Sequence, residues 1–338
     1  MKLFLAISLS ILLTGCFFEK DSPEVLNLYS ARHYESDQLV YEEFTKKTGI
    51  KINLVEGKGA DLEKRIKSEG ELCDADLFIT VDIGRIWKAE TEGLFQSVDS
   101  EVLNKRIPSH LRHSQGFWYA LTKRARVLFY SKERVDPKKL STYEALVDSE
   151  WKGKVLIRSS ANIYNQSLLA SLIAHHGENK AKEWAAGMVD NFARKPQSND
   201  TGQLRDLAAG AGDIAVANTY YYFRLAKSEK PEDREVIEKI GIYFPNQSDR
   251  GSHINISGVG VLKHAKNKEA AVQFIEFMVS DFAQEILAKG NNEYPVVPGV
   301  KLDEKLAEFD FIEDSISAEE IGVNSPVATK IFDEVKWR

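Results

Sequence analysis

The fold is decided by residues 25–55, which read VLNLYSARHYESDQLVYEEFTKKTGIKINLV. Residues 25–29 and 50–55 alternate apolar and polar side chains like strands, and residues 37–47 between them place apolar side chains at helical spacing. Gly49 ends this helix. A strand, a helix and a second strand in succession imply a right-handed crossover between two parallel strands. The sequence therefore predicts that the chain begins as an α/β fold.

The rest of the 338 residues continues in the same alternating style. At about 100–200 residues per domain, this length favours two lobes, and a crevice between two α/β lobes usually carries a ligand. Residues 227–233 are charged and contain proline, which predicts a surface loop. Helices are predicted at residues 61–68, 137–147, 165–176, 180–190, 202–209, 268–279 and 281–289. Strands are predicted at residues 75–79, 117–121, 125–130, 154–158, 214–217, 241–244 and 258–262.

Composition and motifs exclude several classes of function. The chain has 45 basic and 51 acidic residues, a net charge of −6 that disfavours a nucleic-acid-binding protein. It contains no His-Glu-x-x-His, Gly-x-Ser-x-Gly or Walker-type loop. His110 and His113 share helical spacing without a carboxylate or cysteine at ligand spacing, so a zinc site is not expected there. The sequence predicts a binding protein and not an enzyme.

The N-terminus resembles an export signal. Residues 1–15 contain one charge and an apolar run too short to span a bilayer, and the residues that end at Cys16 read LTGC. This tetrapeptide resembles the bacterial lipoprotein box, which implies acylation of Cys16 and a membrane-tethered protein in the periplasm or another extracytoplasmic compartment. A plain secretory signal with an incidental cysteine is the alternative. Cleavage at Cys16 would leave Cys73 without a disulfide partner.

Tyrosines follow three of the predicted strands. The segment NTYYYFR at residues 218–224 comes after a strand, and at the first turn of a helix capped by its Asn or Thr, Tyr220 and Tyr221 can lean toward one point. Tyr34, with His33 beside it, follows the first strand, and Tyr164 follows another. Simple packing of aromatic rings at a lobe interface is the alternative, because the chain has 12 tyrosines.

The chemistry of phenol oxygen indicates which ion such a cluster would hold. A phenolate is a hard anionic donor, and a trivalent cation can displace a proton from a group whose ordinary pKa is about 10. Magnesium and calcium prefer carboxylates and carbonyls, and zinc prefers sulfur or imidazole. Ferric iron fits best. Four tyrosinates exceed its charge by one, so a nearby arginine such as Arg126 could balance the site.

Four strings together resemble the ferric-iron-binding proteins of bacterial ABC importers, the tyrosine-rich branch of the two-lobed periplasmic binding proteins. They read LNLYSARHY at residues 26–34, IYNQS at 163–167, NTYY at 218–221 and NISGVG at 255–260. The resemblance implies two lobes, each a mixed sheet flanked by helices, joined by hinge strands near residues 122–126 and 243. The implied division is a signal peptide at 1–15, a tether at 16–24, an N-lobe at 25–122 and 244–290, a C-lobe at 123–243, and a C-terminal segment at 291–338 that packs on the C-lobe.

The same resemblance implies the ligands and partners. The matching positions are Tyr34, Tyr164, Tyr220 and Tyr221, with His33 available, and relatives differ in whether the histidine binds iron. Ferric iron (Fe3+) is then cargo, an ABC-importer permease is the protein partner, and the chain is expected to be a monomer. Because tyrosines would fill the metal's coordination sites, we expect no need for an accessory anion.

Two other functions remain open from the residues alone. A binding protein for an organic ligand, such as thiamine or a sugar, could use the tyrosine rings as stacking surfaces. An extracytoplasmic enzyme could use His33 as a base and Tyr34 as an acid, although no nucleophile or orienting acid lies beside them. A visible charge-transfer band would distinguish a ferric tyrosinate site from an organic-ligand site. Turnover of a substrate would favour the enzyme.

Overall fold

The computed structural model describes residues 24–197 and 199–338, where strands and helices alternate. The predicted signal peptide at residues 1–15, the lipidation site Cys16 and the tether up to residue 23 lie outside the described residues. The first elements are β1 (Val25–Ser30), α1 (Glu35–Thr48), β2 (Lys51–Glu56), α2 (Gly59–Glu69), β3 (Leu77–Val81), α3 (Ile83–Thr91), α4 (Glu101–Arg106) and β4 (Tyr119–Ser131). The next are β5 (Val155–Leu156), α5 (Ile163–His176), α6 (Glu178–Asn191), α7 (Asp200–Ala208), β6 (Ile214–Asn218), α8 (Thr219–Ala226) and α9 (Pro231–Lys239). The last are β7 (Ile240–Tyr243), β8 (Ile254–Val261), α10 (Lys268–Met278), α11 (Asp281–Asn291), β9 (Tyr294–Pro295), α12 (Glu304–Ala307) and α13 (Ala318–Glu334).

The opening β-α-β unit is confirmed. β1 pairs in parallel with β2 and with β3, and β3 pairs antiparallel with β8. Leu26 and Leu28 are fully buried, whereas Asn27 between them is partly exposed, as the alternation predicts. Gly49 ends α1 with a φ of 79°, a left-handed conformation that glycine adopts without steric cost.

One long strand, β4, joins two sheets. Its first part pairs with β8 and β9, and its last part pairs with β6 and β7. The change falls between Ala125, whose partner is Ile254 in β8, and Arg126, whose partner is Asn218 in β6. The chain returns from the second sheet to the first between β7 and β8. The fold is therefore a two-lobed mixed α/β fold in which strands cross between the lobes.

The core lies between the sheets and the helices that cover them. Its largest fully buried apolar side chains include Phe44, Phe78, Trp118, Phe129 and Phe274. Three arginines, Arg32, Arg124 and Arg126, are as deeply buried as these aromatic rings. Buried arginine is rare unless it is paired, so these three mark a polar centre inside the protein.

Some local predictions were wrong. The predicted helix at residues 137–147 is two short 3-10 turns, Pro137–Lys139 and Glu144–Val147, because Ser141 and Thr142 interrupt helical backbone and the Tyr143 amide donates to Asn246. The predicted loop at 227–233 ends early, since Pro231 begins α9, the helix position that suits proline. Helices α3 and α13 were not predicted, and α13 packs against both α3 and α5. Within the described part of the chain, no helix is long and apolar enough to cross a membrane.

Candidate metal centre

Each predicted tyrosine lies at the start of a helix. Tyr34 is the N-cap of α1, Tyr164 is the second residue of α5, and Tyr220 and Tyr221 are the second and third residues of α8. Two of these helices follow directly on β1 and β6, so their first turns lie at the carboxyl ends of strands. The positive end of a helix dipole favours a negatively charged oxygen, which these positions can supply.

The structure brings the phenols together from distant parts of the chain. The hydroxyl oxygens of Tyr164 and Tyr220 lie 3.4 Å apart. The rings of Tyr220 and Tyr221 have centroids 4.1 Å apart and an interplanar angle of 32°. Tyr34 is coupled to these phenols by charge, because Tyr164 contributes to its raised pKa and Tyr34 contributes to the raised pKa of Tyr220.

Burial keeps the phenols of α8 protonated. It raises the pKa of Tyr220 well above its ordinary value, and the neighbouring Tyr164 and Tyr221 raise it further. Burial, with a smaller contribution from the Asp200 carboxylate, raises the pKa of Tyr221 to about 12. At neutral pH these two phenols are uncharged in the metal-free protein, and a cation must displace their protons to bind as a tyrosinate complex.

The pKa of the Tyr34 phenol is subject to opposing effects from its neighbours. Burial is the main cause of its raised pKa, and the Glu293 carboxylate adds to the effect. The Arg32 guanidinium, 5.0 Å from the centre of the Tyr34 ring, lowers the pKa in part. Arg32 is itself paired with Asp37 at 2.9 Å and with Glu293 at 3.0 Å.

Arginines surround the Tyr164 ring. The guanidinium carbons of Arg124, Arg126 and Arg158 lie 5.6, 6.0 and 5.8 Å from its centre. Arg224 is placed similarly over the other two rings, 5.7 Å from Tyr220 and 5.6 Å from Tyr221. Positive charge near the phenols favours their anionic form.

Of these arginines, only Arg126 was predicted from the sequence. A basic pair at residues 123–124, between two predicted strands, was the only local sign of Arg124. In the structure Arg124 is buried, its Nη1 donates to Ser257 at 3.1 Å, and its Nε and Nη2 have no hydrogen-bond partner among the described residues. The guanidinium therefore has unused donors beside the tyrosine cluster.

His33 lies at the surface and directly precedes Tyr34 in the chain. Its side chain is 55% exposed, and Nδ1 is 3.7 Å from a carboxylate oxygen of Glu56. A neutral histidine that keeps Nδ1 on the Glu56 side leaves Nε2 free for another partner. The structure thus brings Tyr164, Tyr220 and Tyr221 together, and His33 is exposed next to Tyr34 in the chain.

Three other histidines pair with carboxylates, whereas both ring nitrogens of the buried His253 have no hydrogen-bond partner among the described residues. His113 contacts Glu90 at 3.0 Å, His175 contacts Asp314 at 2.7 Å, and His176 contacts Glu144 at 2.7 Å. Among the described residues, no group of three or more His, Cys, Asp or Glu side chains could hold a metal ion.

Two tyrosines next to the predicted ligands have packing roles. The Tyr29 ring is buried and lies under Arg65, whose guanidinium carbon is 4.9 Å from the ring centre. The Tyr222 ring stacks on Phe129 with centroids 5.6 Å apart. The cysteine of the described chain, Cys73, is buried and free.

The cluster can hold one hard, highly charged cation. Phenol oxygens from α5 and α8 converge, the arginines nearby can compensate the negative charge that the phenols gain on metal binding, and burial removes competing water. Divalent magnesium or calcium would meet too few carboxylates and carbonyls here. The donor set fits a trivalent ion such as ferric iron.

Comparisons with known proteins find a family model and several similar proteins. A family model described as "Bacterial extracellular solute-binding protein" matches residues 74–315. Iron uptake protein A1 of Synechocystis sp. is 48% identical over 100% of this chain and 98% of its own length. Iron uptake protein A2 of the same organism is 50% identical over 93% of this chain and 90% of its own length. A Trichodesmium structure, solved in complex with iron and citrate ligands, has a TM-score of 0.91 and 53% identity, and the match covers 93% of this chain and 100% of that one.

Proposed function

Because the chain belongs to the family of bacterial extracellular solute-binding proteins, we propose that it captures ferric iron through tyrosinate ligands and delivers it to the permease of an ABC importer. The observation that carries this proposal is the convergence of phenols from separate helix starts, with the Tyr164 and Tyr220 oxygens 3.4 Å apart. The names of the Synechocystis relatives, both iron uptake proteins, support the same cargo. The chain acts by binding and not by catalysis.

The ligand set consists of Tyr34, Tyr164, Tyr220 and Tyr221, with His33 as a fifth ligand. The tyrosines supply four anionic oxygens, and the imidazole reaches the ion through Nε2 from the exposed edge of the cluster. Four tyrosinates and one Fe3+ ion leave one net negative charge. The arginines around the Tyr164 ring offset that charge, so the site needs no accessory anion.

Capture and release follow from movement of the lobes. We assign residues 25–122 and 244–290 to the N-lobe, residues 123–243 to the C-lobe, and residues 291–338 to a C-terminal segment whose helix α13 packs on α5 of the C-lobe and also contacts α3 of the N-lobe. Tyr34 and His33 belong to the first lobe and the other ligands to the second, so closure completes the site and excludes water. Protonation of the phenolates, chelation, or reduction to ferrous ion favours release.

We also propose where the protein works. Cleavage after residue 15 leaves Cys16 as the acylated first residue, which tethers a monomeric protein in the periplasm or another extracytoplasmic space. Residues 16–24 then link the lipid to β1. A Cys16→Ser variant, compared with the parent chain by membrane fractionation of the expressing bacterium, tests this anchor. Equal membrane retention of the two proteins would contradict it.

The geometry disfavours an organic ligand stacked on the rings. The Tyr220 and Tyr221 rings already lie against each other at a tilt, and the Arg224 guanidinium carbon is 5.7 and 5.6 Å from their centres. Their faces are therefore largely occupied. An enzyme that uses His33 as a base is disfavoured too, because the imidazole is exposed and its observed neighbour is Glu56 at 3.7 Å.

An absorption spectrum with metal analysis tests the proposal. We expect the purified protein, loaded with ferric iron, to be coloured by tyrosinate-to-iron charge transfer and to hold about one ion per chain. Citrate at low pH should remove both colour and metal, because protons compete for the phenolate oxygens and the chelator competes for the iron. A matched Tyr222→Phe variant should retain the colour, because Tyr222 packs on Phe129. A colourless protein that gains no iron would contradict the proposal.

A further inference from the structure

Arg126 occupies the residue of β4 at which the strand passes from one sheet to the other. Its side chain is 1% exposed. Nη2 donates a hydrogen bond to Oδ1 of Asn165 at 2.6 Å, and Nη1 donates to Oδ1 of Asn218 at 3.0 Å. Nη1 also lies 3.3 Å from a carboxylate oxygen of Asp200. One guanidinium therefore contacts side chains of three separate chain segments.

Each of these partners belongs to the start of a helix. Asn165 follows Tyr164 in the first turn of α5, Asn218 is the N-cap of α8 that carries Tyr220, and Asp200 is the first residue of α7. The Asn218 side chain makes no capping hydrogen bond to its own helix, the bond that the sequence pattern predicts there. Its amide oxygen instead accepts from Arg126.

The other contacts of these partners strengthen the link. The Asn165 Nδ2 donates to the carbonyl oxygens of Arg158 and Ser159, which lie in the segment that leads into α5. The Asn218 backbone amide donates to Asp200 at 3.3 Å. The first turns of α5 and α8 are thus tied to one planar group whose donors point in set directions.

We propose that Arg126 is a positioning residue that holds the phenols of Tyr164 and Tyr220 at metal-binding distance by bridging Asn165 and Asn218. This inference rests on the proposed function. It explains how the first turns of α5 and α8 keep their positions relative to each other. Charge compensation alone does not require Arg126, because Arg124 and Arg158 lie equally close to the Tyr164 ring. The bridge between the two asparagines is what distinguishes Arg126 from these neighbours.

Arg126→Lys separates the bridge from the charge. Lysine keeps a buried positive charge opposite Asp200, but its single ammonium cannot reproduce the planar fork. We expect the variant to bind ferric iron about 10- to 100-fold more weakly than the parent chain, the range typical when groups that orient metal ligands are changed. Its charge-transfer absorbance per bound iron should also change. Parent-like affinity and absorbance would overturn the inference and leave charge as the role of Arg126.

A second variant, Asn218→Ala, cuts only the α8 side of the bridge and keeps the arginine. If Arg126→Lys does not fold, Asn218→Ala alone carries the test: we expect it to bind iron more weakly than the parent chain, and parent-like affinity would overturn the inference. We expect the double variant to bind iron no more weakly than Arg126→Lys alone, because the same link is already broken. Additive losses would overturn the inference. Phe274→Leu, a core change in α10 with no contact to the tyrosine cluster, controls for loss of stability alone.

A structural measurement on metal-free protein separates the test of the positioning role of Arg126 from the test of iron binding. In crystal structures of the metal-free variants we expect the Tyr164 and Tyr220 hydroxyl oxygens to lie farther apart than the 3.4 Å seen here. An unchanged separation overturns the positioning role whatever the iron result. A parent chain that takes up no iron overturns the proposed function, and the separation still decides the role of Arg126.

Discussion

Ferric iron and protons compete for the same phenol oxygens, so the number of protons released on iron binding can be predicted. Burial raises the pKa of Tyr34 and of Tyr220 above the ordinary tyrosine value and that of Tyr221 to about 12. All three phenols are therefore protonated at pH 7 in the metal-free protein. If they bind as tyrosinates, loading one ferric ion must release at least three protons.

The raised pKa values also set the free-energy cost of deprotonation and the pH dependence of iron affinity. For a phenol with a pKa of about 12, deprotonation at pH 7 costs about 7 kcal/mol, at about 1.36 kcal/mol per pKa unit. A raised pKa favours the neutral phenol. Low pH therefore opposes iron binding, and high pH favours iron binding. Release of at least three protons makes the apparent affinity fall by at least about a thousandfold for each unit by which the pH is lowered.

A pH-stat measures this release directly. Metal-free protein near neutral pH is loaded from ferric nitrilotriacetate, and the base consumed is recorded after subtracting the proton uptake of the freed chelator. Tyr221→Phe should release one proton fewer per ion bound, and Tyr222→Phe should match the parent chain. Loading without net release, or with the same count in Tyr221→Phe, would refute tyrosinate coordination.

Four further outcomes are expected, two for the tyrosines, one for the buried Asp82 at the start of α3 and one for His33. Tyr220→Phe combined with Tyr221→Phe should abolish colour and bound iron by metal analysis, while denaturant titration detects a change in unfolding free energy below about 1 kcal/mol, because the hydrogen bond that the Tyr220 hydroxyl gives up is long at 3.4 Å. The metal-free protein should lose stability as the pH rises above about 10, because phenols with raised pKa contribute their full stability only below the unfolded value, and a flat profile in urea titrations would contradict this. Asp82→Ala should destabilise the fold by about 3 kcal/mol in the same assay, because the buried carboxylate accepts from Ser167 at 2.8 Å, and Asp82→Asn should cost less. His33→Ala should keep the colour and weaken iron binding by about tenfold in citrate competition, and complete loss of iron would make the imidazole an essential ligand.

Local pattern was enough for much of this fold. The alternation around Leu26 and Leu28 predicted β1, and Gly49 predicted the end of α1. Both features depend on a few neighbouring residues, because side-chain direction repeats every two residues in a strand and every 3.6 in a helix. The same local logic failed at residues 137–147, where the Tyr143 amide donates to Asn246, about a hundred residues later in the chain.

The candidate site divides in the same way. The sequence alone placed Tyr34, Tyr164, Tyr220 and Tyr221 at the starts of helices, because each follows a recognisable strand or loop and precedes a helical pattern. It did not determine that the Tyr164 and Tyr220 oxygens would meet, nor which arginines would surround them. Fifty-six residues separate those two tyrosines, and 92 separate Arg126 from Asn218.

What the sequence determined by itself is the set of elements and the chemical type of their terminal side chains, since both follow from short-range periodicity. What only the tertiary structure decided is the centre built from those ends: the change of sheet at Arg126, the bridge from its guanidinium to two helix starts, and the burial that raises the phenol pKa values. The physical reason is that hydrogen-bond partners and desolvation depend on which segments pack together, and residues adjacent in the chain carry no record of that packing.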